Sequence, residues 1–503
     1  MSNKKVSVGF DIGTSGVKCV AFDHCSGQTN SVYLEYPLLT PHPGYAEFDC
    51  NTIWQRILHS FILLRNKYGI EGSNIVSIGF CALCPGLIAL GDDGCELGNC
   101  IIFMDARSGK QTEFINKTLP FDKSFEIVGN RIMSGATSIT TIMWLKENRP
   151  DIYEKTKYFV HLPAWAGYKC TGEVRMDLSN ASGTGLYDVH EQNWSRQISD
   201  TFAIDPAKLP PLAEAVDLLG GVTNAELISL GIREGTPVSC GAGDTVSALL
   251  AMGINKERAM LSLGTSHVLY TVADKDTFHP SLMARSFVYK NMWAVGGAMS
   301  NPGAMLRWFR DNFCQDLIQS AHEQGKDAYS LIDEEAALSR TGADGLICLP
   351  YINGERSPVY DSDARAVFFG VSLSTNRAAV SRSIMEGAAF GIRQMLEIME
   401  GVNGSAFEDI YVTGGGSKSD FLVQIMADIT HRRMSVVHMP DTGAMGAAFT
   451  GAIAGGILDT NSLPDIVRVK SIYYPNEQNC DVYGKLFDKY VRLYPSIKEL
   501  FPL

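Results

Sequence analysis

The stretch GFDIGTSGVKCVAFD, residues 9–23, runs apolar into Asp11, turns through Gly13-Thr14-Ser15-Gly16, and resumes as a second apolar strand carrying Lys18. A bare hairpin needs only one or two turn residues. This turn gathers a carboxylate, two small hydroxyls, glycines and a lysine. Residues 261–266 repeat the theme as LSLGTS, followed by HVLYTV. Gly13 and Gly264 stand 251 positions apart, half of the 503 residues. A strand–turn–strand echoed at half length implies one architecture used twice.

Outward from each echo, strand and helix signals alternate. In residues 52–64, Ile53, Trp54, Ile57, Leu58, Phe61 and Ile62 share one helical face, and IVSIGFCAL then reads as a buried strand. In the second half, Ile384, Met385, Ala388, Ala389, Ile392, Met395, Leu396 and Met399 predict a helix. DIYVTGGG is a strand running into glycines, and Phe421 to Ile429 give another helix. The charged stretch 320–336 reads as one solvated helix, and GAMGAAFTGAIAGGIL, residues 443–458, as a tightly packed helix too short and too rich in Gly and Ala to cross a bilayer. The pattern is α/β, twice over, with units over residues 1–254 and 255–503.

Composition narrows the partners. A formal net charge of −12 argues against nucleic acid as the main partner, though a nucleotide needs only a local cradle of amides and a cation. The N-terminal lysines lack an apolar segment behind them, because Asp11 and Gly13 interrupt it, so no signal peptide and a cytoplasmic location are expected. Twelve cysteines in mainly apolar settings read as reduced thiols. Cys81 and Cys84, with Cys95 and Cys100 behind, are spaced too loosely for a strong zinc motif.

Four segments carry chemistry. At the first turn, the amides and hydroxyls of Thr14 and Ser15 suit phosphate oxygens, Asp11 suits magnesium directly or through water, and Lys18 adds positive charge. A capped turn is the plainer alternative. In the echo Ser262 replaces the carboxylate, so one turn brings the metal-associated acid and the other only amides and a hydroxyl. That asymmetry suits one nucleotide held between two related units. Second, Gly414-Gly415-Gly416 between strand and helix lets backbone approach a ring or a phosphate, with Ser417 or Ser419 as helix cap. Third, Gly241-Ala242-Gly243 delivers Asp244 to the start of an apolar helix, either as an ordinary cap or as a carboxylate aimed at a ligand. Fourth, Gly354-Glu355-Arg356-Ser357-Pro358 is a polar turn between apolar strands.

Taken in order, DIGTSGVK, MDARS (104–108), GAGD, LSLGTS, NPGAMLRWF (301–309), GERSP and TGGGSKSDF resemble the FGGY family of carbohydrate kinases, within the actin/Hsp70/sugar-kinase superfamily. The resemblance covers nearly the whole chain. It implies two ribonuclease-H-like domains about a cleft, sugar mainly on the first and ATP with Mg2+ mainly on the second. It implies Asp244 as catalytic base, and Asp11 near magnesium and the transferred phosphate. Thr14, Gly264 and Thr265 would contact polyphosphate. Gly303, Arg307, Gly415, Gly416 and Ser419 would line the nucleotide site. Asp105 and Arg107 match the family's Asp-x-Arg, and with Cys84, Pro85, Asp244 and Thr245 they make the expected sugar side. Many members are dimers, which allows a homodimer here.

Two departures stand out. Where related xylulose kinases carry Met-His-Gly, this chain reads Leu83-Cys84-Pro85-Gly86, and Thr245 follows the base where Asn is frequent. The kinase chemistry is intact and the usual ketopentose pocket is not. The overall layout favours a xylulose-like ketose; gluconate, another aldonate or a polyol are the alternatives. A different class, an ATP-driven binding protein like actin or Hsp70, shares the duplicated fold and the Asp-Gly-Thr turn, but Gly-x-Gly-Asp and GERSP speak against it. The altered loop at 84–85 also leaves open a kinase-derived sensor.

Overall fold

The computed structural model describes residues 4–439, 441–460, 463 and 467–501. Two seven-stranded sheets organise it. In the first, Thr29–Glu35, Gly16–Asp23 and Val6–Ile12 run antiparallel, and Ile75–Ala82 and then Pro237–Ser239 add in parallel. In the second, Trp293–Met299, His267–Ala273 and Arg258–Leu263 run antiparallel, followed in parallel by Asp409–Thr413 and Arg433–His438. Strand order and direction match through five strands, so the duplication read from two Gly-Thr-Ser turns is real. A four-stranded sheet, Glu47–Phe48, Cys100–Ile102, Gly86–Gly91 and Thr156–His161, is inserted in the first half.

Alternation along Val6–Ile12 decides what packs where. Val6, Val8, Phe10 and Ile12 are buried, and Phe10 meets Phe61 of the helix Cys50–Tyr68 at 5.2 Å and stacks on Phe80 at 5.3 Å. The opposite face offers Ser7, Gly9 and Asp11. There the helix Thr442–Ala454 lies so close that a Cβ on Gly9 would sit 2.0 Å from the Ala444 carbonyl oxygen. This helix is buried continuously from Ala444 to Ala452, as an all-round apolar sequence requires. It comes from the second half yet covers the first sheet, and Gly446 brings it against the helix Asp244–Ala251. The unit proposed for residues 255–503 therefore lends a helix to its neighbour.

The helices expected around residues 52–64, 384–399 and 421–429 form as Cys50–Tyr68, Arg377–Asn403 and Asp420–Thr430. The stretch 320–336 is a correction. It is two helices, Gln315–Gln324 and Ala328–Ala336, separated where Gly325 turns left-handed (φ 64°) and Asp327 caps the second through the Tyr329 amide.

Candidate active site

The first turn is held by its own backbone, Gly13 N donating to the Gly16 carbonyl at 3.0 Å, and by the Tyr36 hydroxyl donating to the Gly13 carbonyl. Thr14 and Ser15 are left exposed at the tip. Asp11 faces Lys18 across the strand pair, but the ammonium of Lys18 pairs with Asp441 at 2.6 Å. The Asp11 carboxylate lies under the start of the helix Thr442–Ala454, where a Cβ on Gly443 would come 2.7 Å from Oδ2. Burial first, and the charge of Asp244 second, push the Asp11 carboxyl up to about 6, against a hydrogen bond from Cys81 and the charge of Lys18. Asp441 raises it further. Asp244 and Asp441 act on Asp11 electrostatically, with Lys18 as the balancing cation, but among the described residues the three carboxylates do not close on one point. A magnesium-type cation, which keeps several waters and takes one or two carboxylates, fits Asp11 as a single ligand better than a three-carboxylate cage.

Asp244 is not a helix cap. Gly243 occupies the N-cap position and Asp244 is the first helical residue, its Oδ1 accepting from the Thr245 amide at 2.5 Å and the Thr245 hydroxyl at 3.2 Å. Its side chain is exposed while the residues before it are buried. A relay from the first half fixes this turn: Asp177 accepts from the Ser179 hydroxyl, and Ser179 Oγ accepts from Gly243 N at 2.9 Å. Asp177 is fully buried, and burial lifts its carboxyl to about 6 against four hydrogen bonds from Ser179 and Asn180.

The second Gly-Thr-Ser turn draws the remaining landmarks together. Gly303 N donates to Thr265 O at 3.1 Å, and a Cβ on Gly303 would lie 2.3 Å from the Gly264 carbonyl, so the helix Pro302–Phe313 starts directly on the turn. Arg307 Nη2 donates to Thr265 Oγ1 at 2.9 Å. Gly414, at φ 89°, backs onto Leu263, the residue before Gly264, and Gly415 is exposed beside it. Ser419 Oγ caps Asp420–Thr430 through Leu422 N at 3.0 Å, so its hydroxyl serves the helix first.

Among the residues expected on the sugar side, Gly86 pairs with Ile102, which puts Pro85 and Asp105 at the same end of two neighbouring strands. Asp105 is buried and fully engaged: Oδ2 accepts from Ala46 N at 2.7 Å, and both oxygens accept from Arg107. Arg107 also pairs with Glu47 and stacks on Tyr45 with its guanidinium 3.7 Å from the ring centre. The Asp-x-Arg pair thus forms a rigid wall rather than a free donor set. Cys84 Sγ lies 3.9 Å from Nδ1 of His161, a buried ring that also bonds Ser138 and Asn180. Among the described residues Cys81, Cys84, Cys95 and Cys100 do not gather around a common point for a metal, and Cys81 and Cys100 are buried thiols.

Sequence reasoning missed Asp177, Asp441, His161 and Arg285. Arg285 is a charge inside the strand Met283–Ser286, in the largely apolar run LMARSFV. That was the signal available, since a cation amid apolar residues needs a partner or a ligand. His161 and Asp177 carried no local pattern.

Comparison with known proteins decides the family. The model for the N-terminal domain of the FGGY family of carbohydrate kinases matches residues 6–251, and the C-terminal domain model matches residues 259–455. The chain belongs to the FGGY family of carbohydrate kinases. This FGGY kinase is 28% identical over 502 residues to a xylulose kinase of Bacillus subtilis, covering 99% of this chain and 98% of that protein. It is 27% identical over 492 residues to a gluconokinase of the same organism, covering 97% and 95%. Its fold superposes on the crystal structure of a xylulose kinase from Rhodospirillum rubrum with a TM-score of 0.88 at 25% identity, over 99% of this chain and all of that one. The fold is the actin-like ATPase arrangement, the activity is that of a carbohydrate kinase, and ATP is its phosphoryl donor. Among the described residues no helix is long and apolar enough to cross a membrane.

Proposed function

We propose that this kinase moves the γ-phosphoryl group of ATP to a hydroxyl of a small open-chain polyhydroxylated acceptor, with Asp244 as general base. The observation that carries the reading is the pair Asp244 and Asp11. The first is an exposed carboxylate held at a helix start by its own residue's neighbours and by Ser179, and the second is a half-buried one within electrostatic reach of it. The acceptor hydroxyl gives its proton to Asp244 as its oxygen bonds to phosphorus. The bond from phosphorus to the β–γ bridging oxygen breaks, and ADP leaves. The transition state is loose, so positioning and charge neutralisation dominate.

Asp11, with Asp441 nearby, would hold magnesium, which supplies charge neutralisation on the phosphates when bound. Thr14, Ser15, Gly264 and Thr265 offer hydroxyls and amides to the polyphosphate. Gly303, Arg307, Gly415 and Gly416 flank the nucleotide. Lys18 acts through Asp441 at the mouth of this site. Asp105 and Arg107 shape the acceptor wall, Thr245 touches the base, and Cys84 and Pro85 complete the acceptor side. The likeness along the whole chain supports a xylulose-like ketose; the side chains around Cys84 favour a second reading, a sugar acid.

Asp244→Asn tests the base. Asn keeps the size and the hydrogen bond from Thr245, so melting and ATP affinity stay near wild type while kcat falls by about 10²–10⁴. The same variant lowers the titration of Asp11, which loses the second cause of its raised pKa. A variant that keeps more than about a tenth of wild-type kcat, a loss below that range, overturns the assignment.

A further inference from the structure

Arg285 enters the acceptor side of the cleft from the second half. Its strand, Met283–Ser286, is the edge of the second sheet and pairs on one side only, Arg285 opposite Ala294. First-half groups clamp the strand. Ser286 N donates to Ser182 Oγ at 2.9 Å, Ser286 Oγ bonds the Tyr187 hydroxyl at 2.8 Å, and Ala284 N donates to Asn130 Oδ1 at 3.2 Å. The guanidinium is therefore held against the first half. A Cβ built on Gly183 would meet Cys84 Sγ at 2.6 Å and Arg285 Nη1 at 3.6 Å, so sulfur and guanidinium both pack against the backbone of Gly183.

The guanidinium has five N–H donors, and among the described residues it makes no ion pair; its side-chain partner is the Cys84 thiol. A thiol is a weak acceptor, and a partly buried guanidinium without a carboxylate is costly. Its charged surroundings are complete enough to aim it. Asp244 and Tyr270 lie within its electrostatic reach, and it repels a proton from His161. Arg356, in the 354–358 turn, acts electrostatically on the same Tyr270. Asp244 acts both on Asp11 and on Arg285, so the proposed base lies within electrostatic reach of the metal-side carboxylate and of the arginine.

We propose that Arg285 is a specificity residue that grips a carboxylate on the acceptor in a two-pronged fashion, making the acceptor an aldonate-type sugar acid rather than a neutral ketose. The inference rests on the kinase reading above and deepens it. An arginine is the side chain best matched to a planar carboxylate. The histidine of related xylulose kinases is replaced by Pro85, which donates nothing, so Arg285 beside Cys84 is the strong cationic donor on this side. A carboxylate bound at Arg285, within reach of Asp244, leaves a hydroxyl further along the chain to meet the base. A phosphoryl oxygen of ATP is the other oxyanion that a guanidinium could hold, and the test separates the two.

Wild type and Arg285→Met are assayed with ATP on matched pairs: D-gluconate against D-glucitol, D-xylonate against xylitol, D-arabinonate against D-arabinitol, with D-xylulose as the neutral ketose. Each pair differs at one terminal carbon. The readout is the ratio of kcat/KM, acid over neutral partner. The expected wild-type ratio is at least about 10² for the preferred pair, and Arg285→Met lowers it by about 10²-fold, because a site built for a polar group strongly rejects the analogue lacking it. Where Arg285→Met does not fold, Arg285→Lys keeps the charge without the fork, and the ratio then falls at least about tenfold. A wild-type ratio at or below one, with a neutral acceptor or D-xylulose phosphorylated, overturns the inference and leaves the kinase reading standing. A variant that loses all acceptors alike, with its ratio kept, assigns Arg285 to the phosphoryl group and also overturns it. If nothing is phosphorylated but an aldonate raises the melting temperature of wild type and not of the variant, the carboxylate site holds and the kinase reading falls. If no aldonate reacts or stabilises, the inference falls.

Discussion

Two helical glycines predict opposite outcomes for the same substitution. Gly446 lies in Thr442–Ala454, where an added Cβ would sit 1.9 Å from the Ser247 carbonyl oxygen, backbone against backbone. Ordinary contact begins near 3.4 Å, so Gly446→Ala must push the helix from Asp244–Ala251 by about 1.5 Å. No flexible side chain can yield. Overpacking of this kind costs up to about 3 kcal/mol. For a unit of about 250 residues each kcal/mol moves the melting temperature by roughly 2 °C, so the loss is about 6 °C. The displaced helices carry Asp244 on one side and Gly443, beside Asp11, on the other. A misplacement near 1 Å costs on the order of 10²-fold in rate, so kcat falls even where the protein stays folded. Gly401, in Arg377–Asn403, has nothing within 4 Å of its Cβ position. There Ala replaces Gly in an open helical site and gains about 1 kcal/mol, raising the melting temperature by about 2 °C with kcat unchanged. Calorimetric melting and steady-state kinetics on the two variants decide it. A Gly446→Ala protein that melts within about 1 °C of wild type and keeps its kcat would refute the packing argument.

Three further outcomes follow from the same geometry. Ser179→Ala leaves the amide of Gly243 without its acceptor; kcat falls about tenfold or more through misplacement of Asp244, the KM for ATP holds, and Ser179→Thr restores much of the loss. Arg307→Ala frees Thr265 Oγ1 and raises the KM for ATP, on the order of tenfold for a lost charge-assisted contact, with the KM for the acceptor unmoved. Glu355 is buried, its Oε1 accepting from the amides of Ser300 and Arg356, and burial raises its carboxyl to about 7 from an ordinary 4.5. The folded state then holds the proton more tightly than the unfolded chain. Its contribution to stability is full below pH 4.5 and is lost as pH rises through 7, on the order of 3 kcal/mol. Glu355→Gln removes this dependence, so urea denaturation at pH 5 and pH 8 should differ less in the variant than in wild type; equal differences would count against a buried, protonated Glu355.

What could be read in the sequence was local and repeated. Gly-Thr-Ser is cheap as a tripeptide, but twice at half length, each time between apolar strands, it fixed both sheets. Asp244 was legible as a residue after two glycines, yet only the structure distinguishes first helical residue from cap, because that difference lies in backbone angles. The run GAMGAAFTGAIAGG announced burial on every side and could not say against what, since a helix with no polar face carries no direction. Gly325 and Asp327 were a stop and a start passed over beneath a uniform charge pattern. Arg285 and Asp177 come from segments far from any landmark, and only the pairing of an edge strand with first-half loops brings the arginine to Cys84.

The helix Thr442–Ala454 has a consequence for how the protein is made. One face of the first sheet is covered soon after synthesis by Cys50–Tyr68, but the other waits for a helix encoded about two hundred residues after the first half ends. At about 5–20 residues per second the wait is on the order of 10–40 s. For that interval the nascent chain carries a bare strip of small residues, Ser7 and Gly9 with Gly79, ending at Asp11. Val20 and Phe22 of the neighbouring strand stand beside that strip on the same face, and Phe22 meets its ring partner, Phe449, only when the late helix docks. Until then this apolar pair is the part of the half-built sheet open to other chains, while the glycines keep the groove clear for the protein's own helix.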